Sequence, residues 1–296
     1  MKNIQYTIIA LLVLISSKSS AQQESLISFY RQHMNLVNPA YAGVDDLTLA
    51  TSSIRKQWTG IANAPQTQAV SFGTPLGKNL GIGLSVVSDK TFAENQTFLG
   101  IDFSYKLKVS ETADLYFGIK AGGNTYNLNL GGLQTYNITA DPALESISTF
   151  NPNVGVGALY KKGDLYISLS VPRLLSTTQS ATNDGIASVV TGQPHIYLSS
   201  GYDWDLNSNV ASLILRPSAM LRYVNGAPLS VDFTTMLQIE KNFEVGAMYR
   251  TDQAYAALGS IRLSKRFIFG FAYEMSTRAA LASARNTNEL FLQFQF

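Results

Sequence analysis

The stretch "LGIDFSYKLKV", residues 99–109, decides the fold class because two kinds of side chain alternate along it without interruption. One set is apolar: Leu99, Ile101, Phe103, Tyr105, Leu107 and Val109. The other set is small, polar or charged: Gly100, Asp102, Ser104, Lys106 and Lys108. Successive side chains of a β-strand point to opposite faces, so this stretch predicts a strand with one apolar face. Its length exceeds that of an ordinary strand and matches a tilted strand that crosses a bilayer.

The same alternation recurs throughout the chain beyond residue 46. We count about 14 such segments, which begin near residues 47, 66, 79, 97, 115, 153, 165, 195, 210, 229, 243, 255, 267 and 288. Short links are predicted at 76–79, 110–114, 161–164, 205–209, 240–242 and 264–266, and long links at 55–65, 88–96, 127–152, 172–194 and 276–287. Outer-membrane barrels have even strand numbers, short periplasmic turns and longer extracellular loops. The pattern therefore predicts an all-β fold, a transmembrane antiparallel β-barrel over residues 47–296, in the outer membrane of a Gram-negative bacterium.

The composition agrees with a barrel in a membrane. Charged residues make up 14% of the chain, against about 25% in typical soluble domains. After residue 21 no apolar run is long enough for a transmembrane helix, and a closed barrel is the other structure that can span a bilayer. A secreted soluble all-β domain is the alternative.

Residues 1–21 read as a cleaved signal peptide, with Lys2 before the short apolar run Ile8–Ile15. Removing this segment removes two lysines and no acid, so the formal net charge becomes 22 − 2 − 20 = 0. A neutral chain offers no basis for nucleic-acid binding. The chain contains no cysteine, which excludes disulfides and thiolate metal sites.

The polar faces of the predicted strands carry charges of both signs. They are Asp102, Lys106, Lys108, Lys120, Arg216, Arg222, Asp232, Glu244, Arg250, Arg262 and Glu274. A selective pore would more plausibly show a constriction of one sign. Mixed signs suit a lumen filled by loops and ion pairs, or simply solvated lumen residues.

Catalytic and cofactor-binding patterns are scarce. His33 and His195 are the two histidines, and the sequence contains no metal-binding or phosphate-binding motif. Gly81-Ile82-Gly83 and Gly155-Val156-Gly157 lie within strands and are interpreted as barrel-wall glycines. We therefore predict no enzymatic activity, no cofactor and no metal. An outer-membrane hydrolase, resting on His195 alone, is a remote alternative.

Residues 22–46 precede the first strand and form a separate predicted unit, rich in Tyr, Asn and Met. This pre-barrel segment could plug the barrel, line its periplasmic mouth or be a flexible leader.

Four stretches resemble the PorP/SprF family, which are outer-membrane proteins of the type IX secretion system of Bacteroidota. They are "NPAYAG" at 38–43, "RKQWTGIANAPQTQAVSFGTPL" at 55–76, "GIGLSVVSDK" at 81–90 and "LSVPRLL" at 169–175. The resemblance makes these residues candidates for partner contacts: Asn38, Pro39, Ala40, Tyr41, Gly43, Arg55, Lys56, Gln57, Trp58, Gly60 and Pro65.

The resemblance implies a non-enzymatic role in exporting or attaching a dedicated cargo, such as a gliding adhesin with a C-terminal sorting domain. Expected partners are outer-membrane lipids, this cargo and the periplasmic lipoprotein ring of the secretion machine. The resemblance also implies that Arg55–Pro65 is the first extracellular loop, with Trp58 near the membrane interface. A plugged channel for hydrophobic solutes is the alternative, because fatty-acid transporters share the barrel architecture and an Asn-Pro-Ala plug.

Overall fold

The structure is a computed structural model that describes residues 27–129, 147–183, 186–206, 212–251, 254–277 and 286–296. The predicted signal peptide, residues 1–21, lies outside the described residues. Within them, no helix combines the length and hydropathy required to span a membrane.

Seventeen strands are described. They are β1 (Leu49–Lys56), β2 (Gln66–Gly77), β3 (Leu80–Thr91), β4 (Glu94–Lys108), β5 (Ala113–Leu128), β6 (Ile147–Lys162), β7 (Leu165–Val171), β8 (Thr177–Asn183), β9 (Ile186–Gly192), β10 (His195–Tyr202), β11 (Trp204–Asp205), β12 (Leu213–Val224), β13 (Ser230–Ile239), β14 (Phe243–Arg250), β15 (Ala254–Arg262), β16 (Phe267–Ser276) and β17 (Asn286–Gln295).

Fourteen of these strands form one closed antiparallel barrel, as predicted. The barrel consists of β1–β7, β10 and β12–β17. It closes where β1 pairs with β17, with Leu49 opposite Gln295. A pairing of β10 with β12 bridges the remaining gap. Closure leaves no edge strand whose backbone groups would lack hydrogen-bond partners in lipid.

The two faces of the strands are also as predicted. Phe103 and Phe233 on the apolar face are 46% and 53% exposed, whereas Asp102 and Ser104 on the other face are 0% and 4% exposed. The apolar side chains therefore form the outer, lipid-facing wall and the polar side chains point into the lumen.

The long links differ from the prediction because several strands run further than hydrophobic alternation indicates. The predicted link 88–96 is a turn of two residues, Phe92 and Ala93, between β3 and β4. The first residues of β4, Glu94–Thr97, are polar on both faces, so they carry no alternating signal. The link 172–194 contains a separate hairpin, β8 and β9.

The described pre-barrel residues 27–46, here called the luminal segment, lie inside the barrel. The segment consists of short helical turns at Tyr30–His33, Met34–Val37, Pro39–Tyr41 and Val44–Asp46. Its side chains form a core with side chains of the inner wall; this core contains Tyr30, Met34, Ala40, Tyr116, Leu159, Tyr166, Tyr197 and Met220. Of the three arrangements that the sequence left open, a position inside the barrel agrees with these contacts.

The luminal segment runs along the barrel axis. At its start, the Ser28 amide bonds Glu289 near the end of the barrel that carries the long links, here called the long-loop end. At its end, Asp45 bonds Lys161 at the opposite, short-turn end, and the chain then enters β1.

Candidate functional site

Asn38 anchors the luminal segment to the barrel wall. Its side chain is fully buried, and its amide nitrogen donates to the Ala158 carbonyl at 3.0 Å and to the Ser168 hydroxyl at 2.7 Å. Its amide oxygen accepts from the Ala40 backbone nitrogen at 2.8 Å. Since Pro39 fixes the intervening backbone, one side chain both caps the next turn and bonds two neighbouring strands.

Glycines of the wall make room for the backbone of this part of the segment. A Cβ atom at Gly118 would lie 2.6 Å from the Ala40 Cα and overlap the Ala40 nitrogen. A Cβ atom at Gly157 would overlap the Asn38 amide, and one at Gly81 would overlap the Ala42 carbonyl. Gly81 and Gly157, one from each Gly-x-Gly stretch, therefore leave room for the backbone and side chains of the luminal segment. This finding supports their interpretation as structural glycines.

Gly118→Ala should displace the luminal segment while leaving the barrel assembled. The added methyl group meets backbone atoms, which cannot rotate away, so we expect a cost of about 1–3 kcal/mol. The chain has no cysteine, so a single Met34→Cys substitution gives a specific probe. Thiol labelling at this buried position should become faster in the Gly118→Ala background.

The matched control is Gly259→Ala, because the nearest atom to its new methyl group is the Glu244 carbonyl oxygen at 3.9 Å. Equal labelling rates in the two alanine backgrounds would contradict a seating role for Gly118.

A cluster of three arginines and three carboxylates lies above Asn38, toward the long-loop end. Its members, here called the arginine–carboxylate cluster, are Arg55, Arg222, Arg250, Asp232, Glu274 and Glu289. Arg250 contacts Asp232 at 2.7 Å and Glu274 at 3.1 Å, and Arg55 contacts Glu274 at 2.7 Å. All six side chains are nearly fully buried. Equal numbers of opposite charges make this burial tolerable, because each charge has a partner.

This cluster also holds the start of the luminal segment. Glu289 accepts from the backbone nitrogens of Ser28 at 2.8 Å and Phe29 at 3.0 Å. The Ser28 hydroxyl accepts from Arg55 at 3.0 Å. The cluster therefore joins β1, β17 and the luminal segment, and it does so where the barrel closes.

A second buried ion pair holds the middle of the segment. Lys120 lies 3.3 Å from Asp102, and both side chains are completely buried. The Lys120 ammonium also donates to the carbonyl oxygens of Asn35 at 2.9 Å and Leu36 at 3.0 Å. Carbonyl groups at the end of a short helical turn need such donors. The mixed charges of the lumen thus act as ion pairs that bind the segment, one of the two uses left open by the sequence.

His33 is a packing residue of the luminal segment. Its Nδ1 lies 3.0 Å from the Ser71 hydroxyl, and burial lowers the pKa of the imidazole to about 3. His195 is buried beside Tyr197, with ring centroids 6.2 Å apart. No group of three or more potential metal ligands occurs among the described residues.

Lowering the pH from 7.5 to 5.5 should weaken docking of the luminal segment. The pKa of His33 is about 3 when docked and 6.5 in the reference state, so docking favours the neutral form. This contribution is complete above pH 6.5 and decreases as the pH falls toward 3; at pH 5.5 the loss is about 1 kcal/mol. Thiol labelling of Met34→Cys should therefore be faster at pH 5.5. The same measurement in His33→Gln should show no such acceleration, and a persisting one would assign the effect to another group.

Part of the second family-like stretch, between β1 and β2, forms a loop at the rim of the long-loop end. Residues 57–65, here called the rim loop, are closed by a bond from the Gln57 nitrogen to the Pro65 carbonyl at 2.9 Å. The Thr59 nitrogen bonds the Asn286 carbonyl at 3.2 Å, and the Phe92 nitrogen bonds the Asn63 carbonyl at 2.9 Å. The loop is thus fastened to β17 on one side and to the β3–β4 turn on the other.

Residues 19–294 match the family model described as "Type IX secretion system membrane protein PorP/SprF". The chain belongs to the PorP/SprF family. It is therefore an outer-membrane β-barrel and a membrane component of the type IX secretion system. No curated protein is similar enough in sequence to match it.

Several solved barrels are similar in fold to this PorP/SprF protein. The outer-membrane protein Omp33 of Acinetobacter baumannii is 10% identical, with a TM-score of 0.48, over 84% of this chain and 97% of its own. A FadL homologue of Pseudomonas aeruginosa is 10% identical, with a TM-score of 0.48, over 87% of this chain and 91% of its own. The toluene transporter TbuX of Ralstonia pickettii is 10% identical, with a TM-score of 0.46 and the same two coverages.

The structure divides the family-motif candidates of this PorP/SprF chain between two places. The luminal group is Asn38, Pro39, Ala40, Tyr41, Gly43 and Arg55, and the rim group is Lys56, Gln57, Trp58, Gly60 and Pro65. Gly43 has a φ of +69° and faces the Thr74 carbonyl, so glycine is required there. Gly60 has a φ of +100° within the rim loop. Partner contacts of either group remain a prediction.

Sequence reasoning missed two residues that the luminal site needs, Glu289 and Ser28. Glu289 is the one acid on the inward face of β17, so its alternation with the outward Leu290 was an available signal. Ser28 lies in a segment without any periodicity, and only its contacts with Arg55 and Glu289 reveal its role.

Proposed function

We propose that this PorP/SprF protein supports the export or surface attachment of a dedicated cargo, has no enzymatic activity, and reaches the outer membrane through a cleaved signal peptide. The cargo is a secreted protein with a C-terminal sorting domain, such as a gliding adhesin of a Bacteroidota species. Family membership supports the secretion role, and the shape of the long-loop end supports a protein as the partner.

The observation that carries the proposal is the unequal height of the barrel wall. β5 and β6 each have 16 residues, whereas β14 has 8. At about 3.4 Å per residue, the 8 additional residues extend the wall by about 27 Å along the strand. The β8–β9 hairpin follows β7 on the same side. A one-sided wall of this size fits a protein domain better than a small solute.

The lumen supports the same proposal. The luminal segment is bonded to the wall at Glu289, at Lys120 and through Asn38. A solute channel would have to release or bypass these bonds, whereas a cargo held at the long-loop end requires no such movement.

Deleting the gene tests the cargo role. One specific surface adhesin should be lost while other type IX substrates are still exported. Replacing the β8–β9 hairpin, residues 177–192, by a short linker should reproduce that loss with a folded barrel in the outer membrane. Export of every substrate at the normal level in the deletion strain would refute the proposal.

A channel for hydrophobic solutes is the second candidate, favoured by one cavity. The cavity has a volume of about 80 Å³ and lies between the luminal segment and the long-loop end, and Phe98, Tyr197 and Met220 contribute to its lining. Uptake of an apolar solute into liposomes that contain the purified barrel separates the two functions. If the deletion abolishes such uptake and leaves all surface proteins in place, the channel is the function.

The proposed contact with the periplasmic lipoprotein ring uses the short-turn end. The luminal segment exposes Asp45 and Asp46 there, whereas the rest of the described segment lies inside the barrel. Cross-linking from position 46 should capture the lipoprotein, and cross-linking from position 34 should not.

A further inference from the structure

A cleft opens on the outer wall of the barrel beneath the rim loop. It has a volume of about 600 Å³. Its floor is a row of three apolar side chains on adjacent strands, Ile54, Leu290 and Phe271, which face one another across β1, β17 and β16. Each of them is 42–43% exposed. Because this wall faces lipid, the floor of the cleft is continuous with the hydrocarbon region.

The upper border of the cleft is basic. Lys56 lies opposite Gln66 and Gln66 lies opposite Lys90, so the two lysines stand in one row across three strands. Strands are about 4.8 Å apart, which separates the two lysine Cα atoms by about 10 Å. Lys56 and Lys90 are exposed, and Lys56 lies one outward position above Ile54 of the apolar floor.

In the described part of the outer wall, no acid balances these lysines. The described residues that line the cleft include both lysines and no aspartate or glutamate. Asp89, the chain neighbour of Lys90, points inward and accepts from the Thr67 hydroxyl at 2.6 Å. Among the described residues, no ion pair contains Lys56 or Lys90.

We propose that the cleft binds a phosphate-bearing lipid of the leaflet at the long-loop end. The phosphate lies between Lys56 and Lys90, and an acyl chain lies along Ile54, Leu290 and Phe271. Trp58, whose ring centroid is 6.4 Å from that of Phe92, stands at the level of the headgroups, where tryptophan is commonly found. This role explains why the family-like stretch combines a lysine, a tryptophan and a loop fastened on both sides.

The geometry favours a lipid over a soluble anion or a protein. A free anion would gain nothing from the apolar floor, and a second protein would need a larger apolar surface than one row of three side chains. A lipid phosphate uses both parts of the cleft at once, and its acyl chain stays in the bilayer.

The experiment is native mass spectrometry of the purified full chain with added bis-phosphorylated lipid A. We expect the lipid to be retained, and the Lys56→Gln/Lys90→Gln double variant to lose retention by about tenfold, because each lysine near a membrane surface contributes several-fold to anionic-lipid binding. The control double variant is Lys108→Gln/Lys241→Gln, which removes two exposed lysines at the short-turn end and should retain the lipid normally. The native chain should retain dephosphorylated lipid A only weakly. This retention should equal that of bis-phosphorylated lipid A by the Lys56→Gln/Lys90→Gln variant.

Other outcomes would overturn the proposal. Equal loss in the two double variants would mean that only net charge matters. Equal retention of phosphorylated and dephosphorylated lipid would remove the phosphate from the site. Displacement of lipid A by inorganic phosphate would identify a soluble-anion site, and a dimer that Lys56→Gln/Lys90→Gln disrupts would identify a protein interface.

Discussion

Replacing Arg250 with Met should lower the free energy of unfolding of the barrel by about 3–5 kcal/mol. The Arg250 side chain is 1% exposed and contacts Asp232 at 2.7 Å and Glu274 at 3.1 Å. Its removal takes away the main partner of Asp232 and one of the two arginine partners of Glu274, and the low dielectric of the site makes the uncompensated charge costly. Urea unfolding in lipid vesicles, followed by the mobility of folded and unfolded barrel on gels, measures the change.

Arg216→Met is the matched control for Arg250→Met. Arg216 contacts Glu244 and Asp203, but its side chain is 25% exposed, so water can solvate the groups left behind and the loss should be below about 1 kcal/mol. Adding Asp232→Asn to Arg250→Met should restore part of the stability, because it neutralises the carboxylate that loses its main partner. Equal losses for Arg250→Met and Arg216→Met would show that burial does not set the strength of the cluster.

The barrel could be predicted because its strands repeat one physical rule. Every lipid-facing position between Leu99 and Val109 is apolar and every inward position is small or polar. Elsewhere the outward rows stay mostly apolar, while the inward rows also carry large apolar side chains, such as Leu159 and Met220, that pack on the luminal segment. The rule stops where both faces meet water. The prediction therefore lost residues 88–91 of β3, residues 94–96 of β4 and residues 147–152 of β6, since strands that rise beyond the membrane need no apolar face.

The sequence indicates that the lumen contains charges of both signs, but it does not show which of them form ion pairs with one another. Mixed charge on the inward faces was evident from the sequence, yet each contact depends on strand register. Arg55 lies directly opposite Glu289, Asp102 opposite Lys120, and Asp232 opposite Arg250. A shift of one residue would separate each pair. Arg55 and Glu289 are 234 positions apart and meet only because the barrel closes.

The luminal segment shows the limit of sequence reasoning most clearly. The stretch from Asn38 to Gly43 was recognised by resemblance, but it has no periodicity that indicates where it lies. Its position depends on three glycines of the wall, Gly81, Gly118 and Gly157, because any side chain there would overlap atoms of the segment. A single sequence does not distinguish a glycine that leaves room for another backbone from a glycine that allows its strand to bend.

Phe103→Arg should destabilise the barrel in a bilayer by about 2–4 kcal/mol. Phe103 lies in the middle of the outward apolar row of β4, between Ile82 of β3 and Ile119 of β5. An arginine there places a charge in hydrocarbon, where it lacks hydrogen-bonding partners. The difference should be measurable as a lower urea midpoint in lipid vesicles.

The appropriate control for Phe103→Arg is Phe150→Arg on the same outer surface. Phe150 is 65% exposed and lies near the start of β6, in the part of the wall that extends toward the long-loop end. Because the penalty for a lipid-facing charge falls to about 0–1 kcal/mol near the interfaces, this variant should keep nearly its full stability. The inward neighbour Ser104, which the strand pattern suggests as a tolerant position, is not suitable, since its hydroxyl donates to the Ala42 carbonyl at 2.5 Å beneath the luminal segment. Equal losses for Phe103→Arg and Phe150→Arg would place the membrane at a different height on the barrel. The position of the raised wall and of the cleft beneath the rim loop, relative to the membrane, would then change as well.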